Sequence, residues 1–152
     1  MVELREVVPA LDGVVAAALL PVQHAAYAVE AALIGDERIP PLQENLEDLR
    51  AAQLVWLAAF SGGALLGAVA WTEDEGGIDI DRLIVIPEAH RRGVGSALVR
   101  AVLHRAADRR TTVSTGRENT PARRLYEGLG FSCVGEEEVL PGLWVSRYTH
   151  GS

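Results

Sequence analysis

The sequence has little cysteine and no long apolar run. Cys133 is the only cysteine among the 152 residues, which excludes an intrachain disulfide and a thiolate metal cluster. No stretch reaches the ~18 uninterrupted apolar residues of a membrane span, and residues 1–6 alternate charged and apolar side chains, unlike a signal peptide. We therefore expect a cytoplasmic protein without a membrane segment or a metal site, folded as one domain over residues 1–152.

An excess of positive charge is also lacking. The formal net charge of −7 argues against a general nucleic-acid-binding protein, which needs a basic face. The charges are unevenly placed, because residues 30–48 carry six acidic side chains and one arginine, whereas residues 91–124 carry nine arginines. This distribution suits a cationic substrate beside an anionic cofactor, although ordinary solvated helix faces would produce it too.

Two familiar phosphate-binding patterns are incomplete. Residues 62–67 have the glycine spacing of a Walker loop, but Ala68 stands where that loop needs a lysine. The dinucleotide fingerprint needs a third glycine after Gly93 and Gly95, and Leu98 occupies that position. A dinucleotide-binding domain is therefore a poor hypothesis.

The turn that follows Pro87 is the strongest local signal. An apolar strand ends there, a basic turn with Gly93 and Gly95 follows, and an amphipathic helix begins. A helix N-terminus presents unpaired N–H groups and a partial positive charge, and glycine allows an anion to approach the backbone closely. Arg91 and Arg92 add charge. The turn indicates a pyrophosphate site, although taken alone it could equally be a connection whose glycines serve close packing.

Apolar periodicity predicts a mixed α/β layer. The predicted strands cover residues 2–7, 54–60, 64–71, 78–86, 111–115, 131–139 and 143–148. The predicted helices cover residues 9–20 and 21–34, a short segment marked by Leu42, Leu46 and Leu49, the residues after the glycine turn, and residues 120–130.

Residues 119–131 decide between a pyrophosphate site and a packing role for the glycine turn. They follow the pattern Asn-x-x-Ala-x-x-Leu-Tyr-x-x-x-Gly-Phe, which resembles the second acetyl-CoA motif of the GNAT N-acetyltransferases. The turn at residues 87–95 resembles their first motif, an apolar strand followed by Pro-x-x-(Gln/Arg)-x-x-Gly-x-Gly/Ala. The two motifs stand in the family's order and at its usual separation. His90 departs from the first motif, so it is not predicted as a cofactor contact.

The resemblance implies both a fold and an activity. The implied fold is a mixed, mostly antiparallel sheet of about seven strands with helices on both faces, splayed between the fourth and fifth strands. The implied activity is direct transfer of an acetyl group from acetyl-CoA to a small-molecule or peptide amine, within a ternary complex. A homodimer through the terminal strands is compatible with the family. The alternative is a non-catalytic acyl-CoA-binding or regulatory module of the same fold.

The resemblance also implies the cofactor contacts. A backbone amide near the end of the fourth strand would meet the thioester carbonyl, and the turn amides would bind the pyrophosphate. The implied contacts are Leu83, Ile84, Val85, Arg91, Arg92, Gly93, Val94, Gly95, Ser96 and Asn119.

The implied catalytic residues are Tyr126, Asp79 and Asp81. Tyr126 matches the tyrosine that protonates the departing thiolate. A phenol with a pKa of ~10 can donate to a thiolate whose acid has a pKa of ~8.5 when the two are held together. Asp79 falls where some relatives place a glutamate base, and Asp81 is predicted on the same strand face; a water chain is the alternative base, and plain solvent exposure would also explain both carboxylates.

The acceptor side has no guiding motif. His24, Tyr27 and Glu30 share one predicted helix face in the region that usually forms the acceptor lid, and simple packing is the favoured interpretation of all three. Ser114 stands where ribosomal-protein N-terminal acetyltransferases of this family have a catalytic glutamate, which places the chain outside that branch. The acidic residues of the first half favour a cationic or primary amine as the acceptor.

Overall fold

The computed structural model describes residues 2–151, so Met1 and Ser152, the ends of the predicted domain, lie outside the described residues. The strands are β1 (Glu3–Val7), β2 (Val55–Ser61), β3 (Ala64–Asp74), β4 (Gly77–Val85), β5 (Arg110–Gly116), β6 (Ser132–Leu140) and β7 (Leu143–His150). The helices are α1 (Gly13–Ile34), α2 (Pro40–Gln43), α3 (Leu46–Ala51), α4 (Val94–Ala106) and α5 (Thr120–Gly128).

All seven strands form one sheet in the order β1-β2-β3-β4-β5-β7-β6. Every neighbouring pair is antiparallel except β4 and β5, which are parallel. Two apolar cores cover the two faces: residues of α4 and α5 pack on one face, and residues of α1 and α3 pack on the other. The predicted mixed sheet with helices on both faces is confirmed.

Helix α1 is continuous, so the prediction of two helices separated at Pro21 is wrong. A proline inside a helix removes one backbone hydrogen bond and crowds the preceding turn. Here Pro21 is exposed, whereas Leu19, Val22 and Gln23 around it are buried against the sheet. Tertiary packing of that face therefore outweighs the local cost of the proline.

By length and composition alone, α1 could also cross a membrane, because it has 22 residues and a mean hydropathy of 1.3. It packs instead against the sheet, where Ala16, Leu19 and Gln23 are fully buried. The Gln23 amide nitrogen donates to Pro41 O and to Glu44 Oε1, both at 2.9 Å. Burial of this face is the arrangement of a core helix in a folded domain.

The prediction of a single short helix around residues 42–49 is wrong, because the structure has two short helices there, α2 and α3. Asn45 and Asp48 form a reciprocal cap between the two helices. The Asp48 N–H donates to Asn45 Oδ1 at 2.8 Å, and the Asn45 N–H donates to Asp48 Oδ2 at 3.0 Å. A cap of this kind starts a new helix and so ends the previous one.

Strand β4 contains a bulge that opens the sheet. In the pairing with β3, Trp71 faces Ile80 and Ala70 faces Arg82, which leaves Asp81 as an extra residue without a partner. The parallel pairing with β5 ends beside the bulge, at Ile80 and Val113. Because a bulge bends and twists its strand, β4 and β5 diverge from this point to their carboxyl ends. The predicted splay is confirmed.

Candidate active site

A cleft of about 240 Å³ opens where β4 and β5 diverge. Its walls combine elements that are far apart in the sequence. They comprise Tyr27, Glu30 and Ile34 of α1; residues 38–41; residues 81–83 of β4; residues 113–116 of β5; Asn119, Ala122 and Tyr126 of α5; and Val139, Leu143 and Val145 of the terminal strands. Beyond Ile80, the edge of β4 that faces β5 has no strand partner, so its backbone groups are available to a ligand.

The predicted phosphate turn lies directly beside this open edge. Gly93 caps α4 with a φ of 78°, and Arg91 has a φ of 70°, so both residues adopt the left-handed conformation. Among residues 2–151, the N–H groups of Arg91, Gly93 and residues 94–96 have no acceptor. The Arg92 N–H, in contrast, donates to Ala89 O at 3.2 Å. The predicted run of free amides is therefore interrupted at Arg92, and five donors remain for an anion.

Gly95 connects the turn to the cleft. A Cβ atom at this position would lie 3.5 Å from Leu125, 3.7 Å from Leu83 and 3.8 Å from Val85. Leu83 also lines the cleft, so the turn and the open end of β4 form one continuous surface. A ligand with phosphates at the turn could therefore extend its other end into the cleft.

His90 has a bracing role in the turn. Its Nε2 atom lies 3.3 Å from Val85 O, so the imidazole connects the turn to the last residue of β4. Whether His90 contacts a cofactor stays a prediction.

Tyr126 lies on α5 and lines the cleft. It is 4% exposed, and its ring packs edge-on against Phe131 with centroids 5.4 Å apart. No group within residues 2–151 hydrogen-bonds its hydroxyl. Burial, and then the negative charge of Glu30, raise the pKa of Tyr126 well above its usual value. The phenol therefore keeps its proton at physiological pH and is available as a donor.

Glu30 lies in the cleft, whereas the sequence favoured simple packing. Its Oε1 accepts hydrogen bonds from Asn119 Nδ2 at 3.1 Å, Thr115 Oγ1 at 3.2 Å and the Gly116 N–H at 3.3 Å. The helical spacing of His24, Tyr27 and Glu30 was the available signal, and two of the three do line the cleft.

His24 does not line the cleft. Its Nε2 atom lies 2.6 Å from Glu44 O, in the segment between α2 and α3. For this residue the packing interpretation agrees with the structure.

Asn119, a predicted cofactor contact, uses both ends of its amide within the protein. Its Oδ1 accepts the Ala122 N–H at 3.2 Å and so caps α5, while its Nδ2 holds Glu30. Asn119 therefore connects the second motif to the carboxylate of α1.

Asp79 and Asp81 lie on opposite sides of Ile80, the last residue of β4 that pairs with β5. Asp79 lies in the paired half of β4, outside the cleft, where it accepts a hydrogen bond from Thr112 Oγ1 at 2.6 Å. Asp81 lies at the bulge and lines the cleft. Of the two carboxylates predicted on β4, only Asp81 therefore lines the cleft.

Arg82 is the main residue that the sequence did not reveal. It is only 7% exposed, and its guanidinium donates to Glu44 Oε1 at 2.7 Å, Asp81 Oδ2 at 2.6 Å and Gln23 Oε1 at 3.0 Å. Burial alone would lower the pKa of Arg82, but the hydrogen bonds to Glu44 and Asp81 outweigh burial and raise it. This cation attaches the α2–α3 segment to α1 and β4.

A comparison with known families places the chain. Residues 23–131 match the family model described as the acetyltransferase (GNAT) family. The chain therefore belongs to the GNAT acetyltransferases, and the resemblance found in its two motifs is confirmed.

Solved structures resemble the chain in fold. The paiA N-acetyltransferase from Thermoplasma acidophilum, in complex with coenzyme A, has a TM-score of 0.73 at 14% identity, with 99% of each chain covered. The ribosomal-protein-S18-alanine N-acetyltransferase from Escherichia coli has a TM-score of 0.75 at 14% identity, covering 98% of this chain and 92% of its own. At such identities the likeness shows the fold alone.

One curated relative is more similar in sequence. The UPF0157 protein YqkA from Bacillus subtilis (strain 168) is 32% identical over 138 residues, which are 90% of this chain. The chain spans 40% of the length of that relative.

Proposed function

We propose that this protein transfers an acetyl group from acetyl-CoA to an amine by direct attack. The observation that carries the proposal is the continuity of two features: five unpaired amides at a helix N-terminus, and a cleft containing a protonated tyrosine without a hydrogen-bond partner among residues 2–151. The first suits a pyrophosphate, and the second suits a leaving group that needs a proton.

The residues of the cleft have distinct roles in this proposal. The open edge of β4 at residues 83–85 supplies a backbone N–H to the thioester carbonyl, where negative charge develops when the amine attacks. Tyr126 donates a proton to sulfur as the carbon–sulfur bond breaks. The turn amides and the exposed Arg91 and Arg92 hold the phosphates, and Asn119 contributes at the cleft.

The proposal also needs a general base that takes a proton from the amine. Of the two strand carboxylates predicted for this role, Asp81 lines the cleft and Asp79 does not. Asp81 accepts a hydrogen bond from Arg82 Nε at 2.6 Å, so one of its oxygens is already engaged. The cytoplasmic location and the homodimer stay predictions, as does the choice between a small-molecule and a peptide acceptor.

Two measurements test the proposal. Calorimetric titration with acetyl-CoA should show binding, and thiol release with a panel of amines should show turnover. Binding without thiol release from any amine would support the alternative, a non-catalytic acyl-CoA-binding module. Absence of binding would contradict both hypotheses.

A further inference from the structure

Glu30 is a carboxylate held at one oxygen and free at the other. Three donors from β5 and α5 converge on Oε1, whereas Oε2 has no hydrogen-bond partner among residues 2–151. The close contact of α1 with β5 helps to fix this geometry, because a Cβ atom at Gly116 would lie 2.7 Å from Ile34 and 3.4 Å from Glu30 Oε1. A side chain fixed in this way presents its second oxygen in a defined position.

The groups that face Glu30 leave its charge without a cationic partner. Tyr27 on α1 and Tyr126 on α5 are neutral phenols whose pKa values burial and then Glu30 raise. On β4, Arg82 is engaged by Asp81 and Glu44.

The remaining cation of the cleft is also engaged. Arg38, in the loop after α1, pairs with Asp36 at 2.7 Å and donates to Pro141 O at 2.9 Å. Within residues 2–151, no ion pair involves Glu30. The cleft therefore offers a fixed negative charge with room for a cation.

The walls beyond this charge are apolar. Ile34, Ile39, Leu143 and Val145 line the same cleft, and Ile34 lies beside Gly116, as Glu30 does. A ligand that reaches Glu30 with a charged head would place its body against these side chains.

We propose that Glu30 binds the ammonium group of the acceptor and takes the proton that this group must lose before attack, and that the acceptor is a primary amine on an apolar body. This inference rests on the proposed acetyl transfer. An alkyl ammonium with a pKa near ~10 is almost fully protonated at neutral pH and has no lone pair for attack.

The protons balance as follows. The nitrogen gives its first proton to Glu30 Oε2 and attacks the thioester carbon, so a carbon–nitrogen bond forms and the carbon–sulfur bond then breaks. It loses a second proton after attack, while Tyr126 protonates the sulfur. Restoration of Tyr126 consumes one of the two nitrogen protons, and the other leaves to solvent, so each turnover releases one proton.

The test compares Glu30→Gln with the wild type on two amines, hexylamine and aniline. Hexylamine is cationic at pH 7 and needs a base, whereas aniline is already neutral. We expect kcat/KM of the variant for hexylamine to fall on the order of 10²-fold at pH 7, with the deficit shrinking as pH approaches ~10. The deficit for aniline should be several-fold at most.

Controls separate proton transfer from structural damage. Glu37→Gln removes an exposed carboxylate outside the cleft and should leave both rates unchanged. Calorimetry should give the same acetyl-CoA affinity for both variants. Glu30→Asp should restore part of the hexylamine rate, and it keeps the question answerable if Glu30→Gln does not fold.

Two results would overturn the proposal. One is an equal loss for hexylamine and aniline at every pH, which would make Glu30 a positioning residue only. The other is a wild type that acetylates ethanolamine or anionic amines but not hexylamine, which would exclude the apolar acceptor while the acetyl transfer itself stands. Failure of the wild type on every amine would instead contradict the proposed function.

Discussion

The two ends of the cleft are built in different ways. At the cofactor end, Arg91 and residues 93–96 present backbone N–H groups, and their conformation depends on a left-handed glycine within one short segment. At the acceptor end, the surface consists of side chains from α1, the following loop and β7, held by contacts between residues far apart in sequence. The first end is therefore encoded locally, whereas the second exists only in the folded protein.

The largest expected effect tests the cofactor end alone. Gly93→Glu places a negative side chain in the turn, and we expect it to weaken acetyl-CoA binding more than ~100-fold, because it opposes an anion at a site built from partial positive charge. A Cβ atom at Gly93 meets nothing within 4 Å, so the variant should fold with only the ~1–2 kcal/mol strain of a left-handed residue. Gly95→Glu should have the same effect on binding. Calorimetric titration measures both.

A matched control is available in the β2–β3 hairpin. Gly63 has a φ of 83° against 78° at Gly93, and a Cβ atom there also meets nothing within 4 Å. Gly63→Glu should therefore cost similar stability and leave acetyl-CoA affinity unchanged. Wild-type affinity in Gly93→Glu and Gly95→Glu would refute the anion cradle.

The difference between the locally encoded cofactor end and the acceptor end explains which features the sequence could predict. The turn before α4, the helix that carries Tyr126 and the chain order of the strands follow from local patterns, and the structure contains each of these elements. The continuity of α1 through Pro21 could not be predicted, since it depends on burial of neighbouring residues against the sheet.

The residues that the sequence missed depend on features that local patterns do not show. The bulge at Asp81 shifts the alternation of β4 and brings Arg82 to Gln23 on α1, and strict strand alternation cannot anticipate a bulge. Glu30 gains its partners on β5 and α5 only through tertiary packing, across more than 80 positions of sequence.

The next largest effect concerns Tyr126, the proposed proton donor to the thiolate. Tyr126→Phe removes a hydroxyl that bonds no protein group among residues 2–151, so stability and acetyl-CoA affinity should be unchanged. Turnover should fall on the order of 10²-fold through loss of the general acid.

The comparison variant is Tyr148→Phe. The Tyr148 hydroxyl accepts a hydrogen bond from Arg123 at 2.9 Å and donates one to Glu127 at 2.7 Å. The variant should lose ~1 kcal/mol of stability and keep its turnover. An unchanged kcat in Tyr126→Phe would mean that water protonates the thiolate.

A third effect tests the contacts of Arg82 through the free energy of unfolding. Arg82→Met leaves Glu44 and Asp81 without their cation, and we expect a loss of ~2 kcal/mol in urea unfolding. This is below the ~3–5 kcal/mol of a fully buried pair, because the Asp81 side chain is 40% exposed. Acetyl-CoA affinity should change little, since the turn does not depend on this network.

Arg105→Met is the matched control for Arg82. Arg105 also pairs with a carboxylate, Glu73 at 2.9 Å, and lies 5.3 Å from the Trp71 ring, as Arg82 lies 5.7 Å from Trp56. Because Arg105 is 45% exposed, its loss should cost under ~1 kcal/mol. Adding Glu44→Gln to Arg82→Met should recover part of the lost free energy of unfolding. Adding it to Arg105→Met should recover none. Equal losses in the two single variants would show that Arg82 is no more than a surface ion pair.

The smallest effect is a pH dependence that all three tyrosines share. The pKa values of Tyr27, Tyr126 and Tyr148 are each raised, in every case chiefly by burial. A raised pKa in the folded state means that the associated stability is complete below the unfolded value of ~10 and is lost as pH rises through the folded value. Absorbance at 295 nm should therefore show little phenolate at pH 10 in the folded protein and roughly half ionisation in urea.

The same titration, repeated on Glu30→Gln, distinguishes the two tyrosines that line the cleft from Tyr148, which does not line it. The charge of Glu30 contributes to the raised pKa of Tyr27 and of Tyr126, whereas Glu127 and Arg123 are the charges that act on Tyr148. Removing the Glu30 charge should therefore move two phenols toward lower pH and leave the third in place, because burial is unchanged. A uniform shift of all three would indicate a loosened fold, and no shift would show that the carboxylate of α1 does not act electrostatically on the proton donor of the cleft.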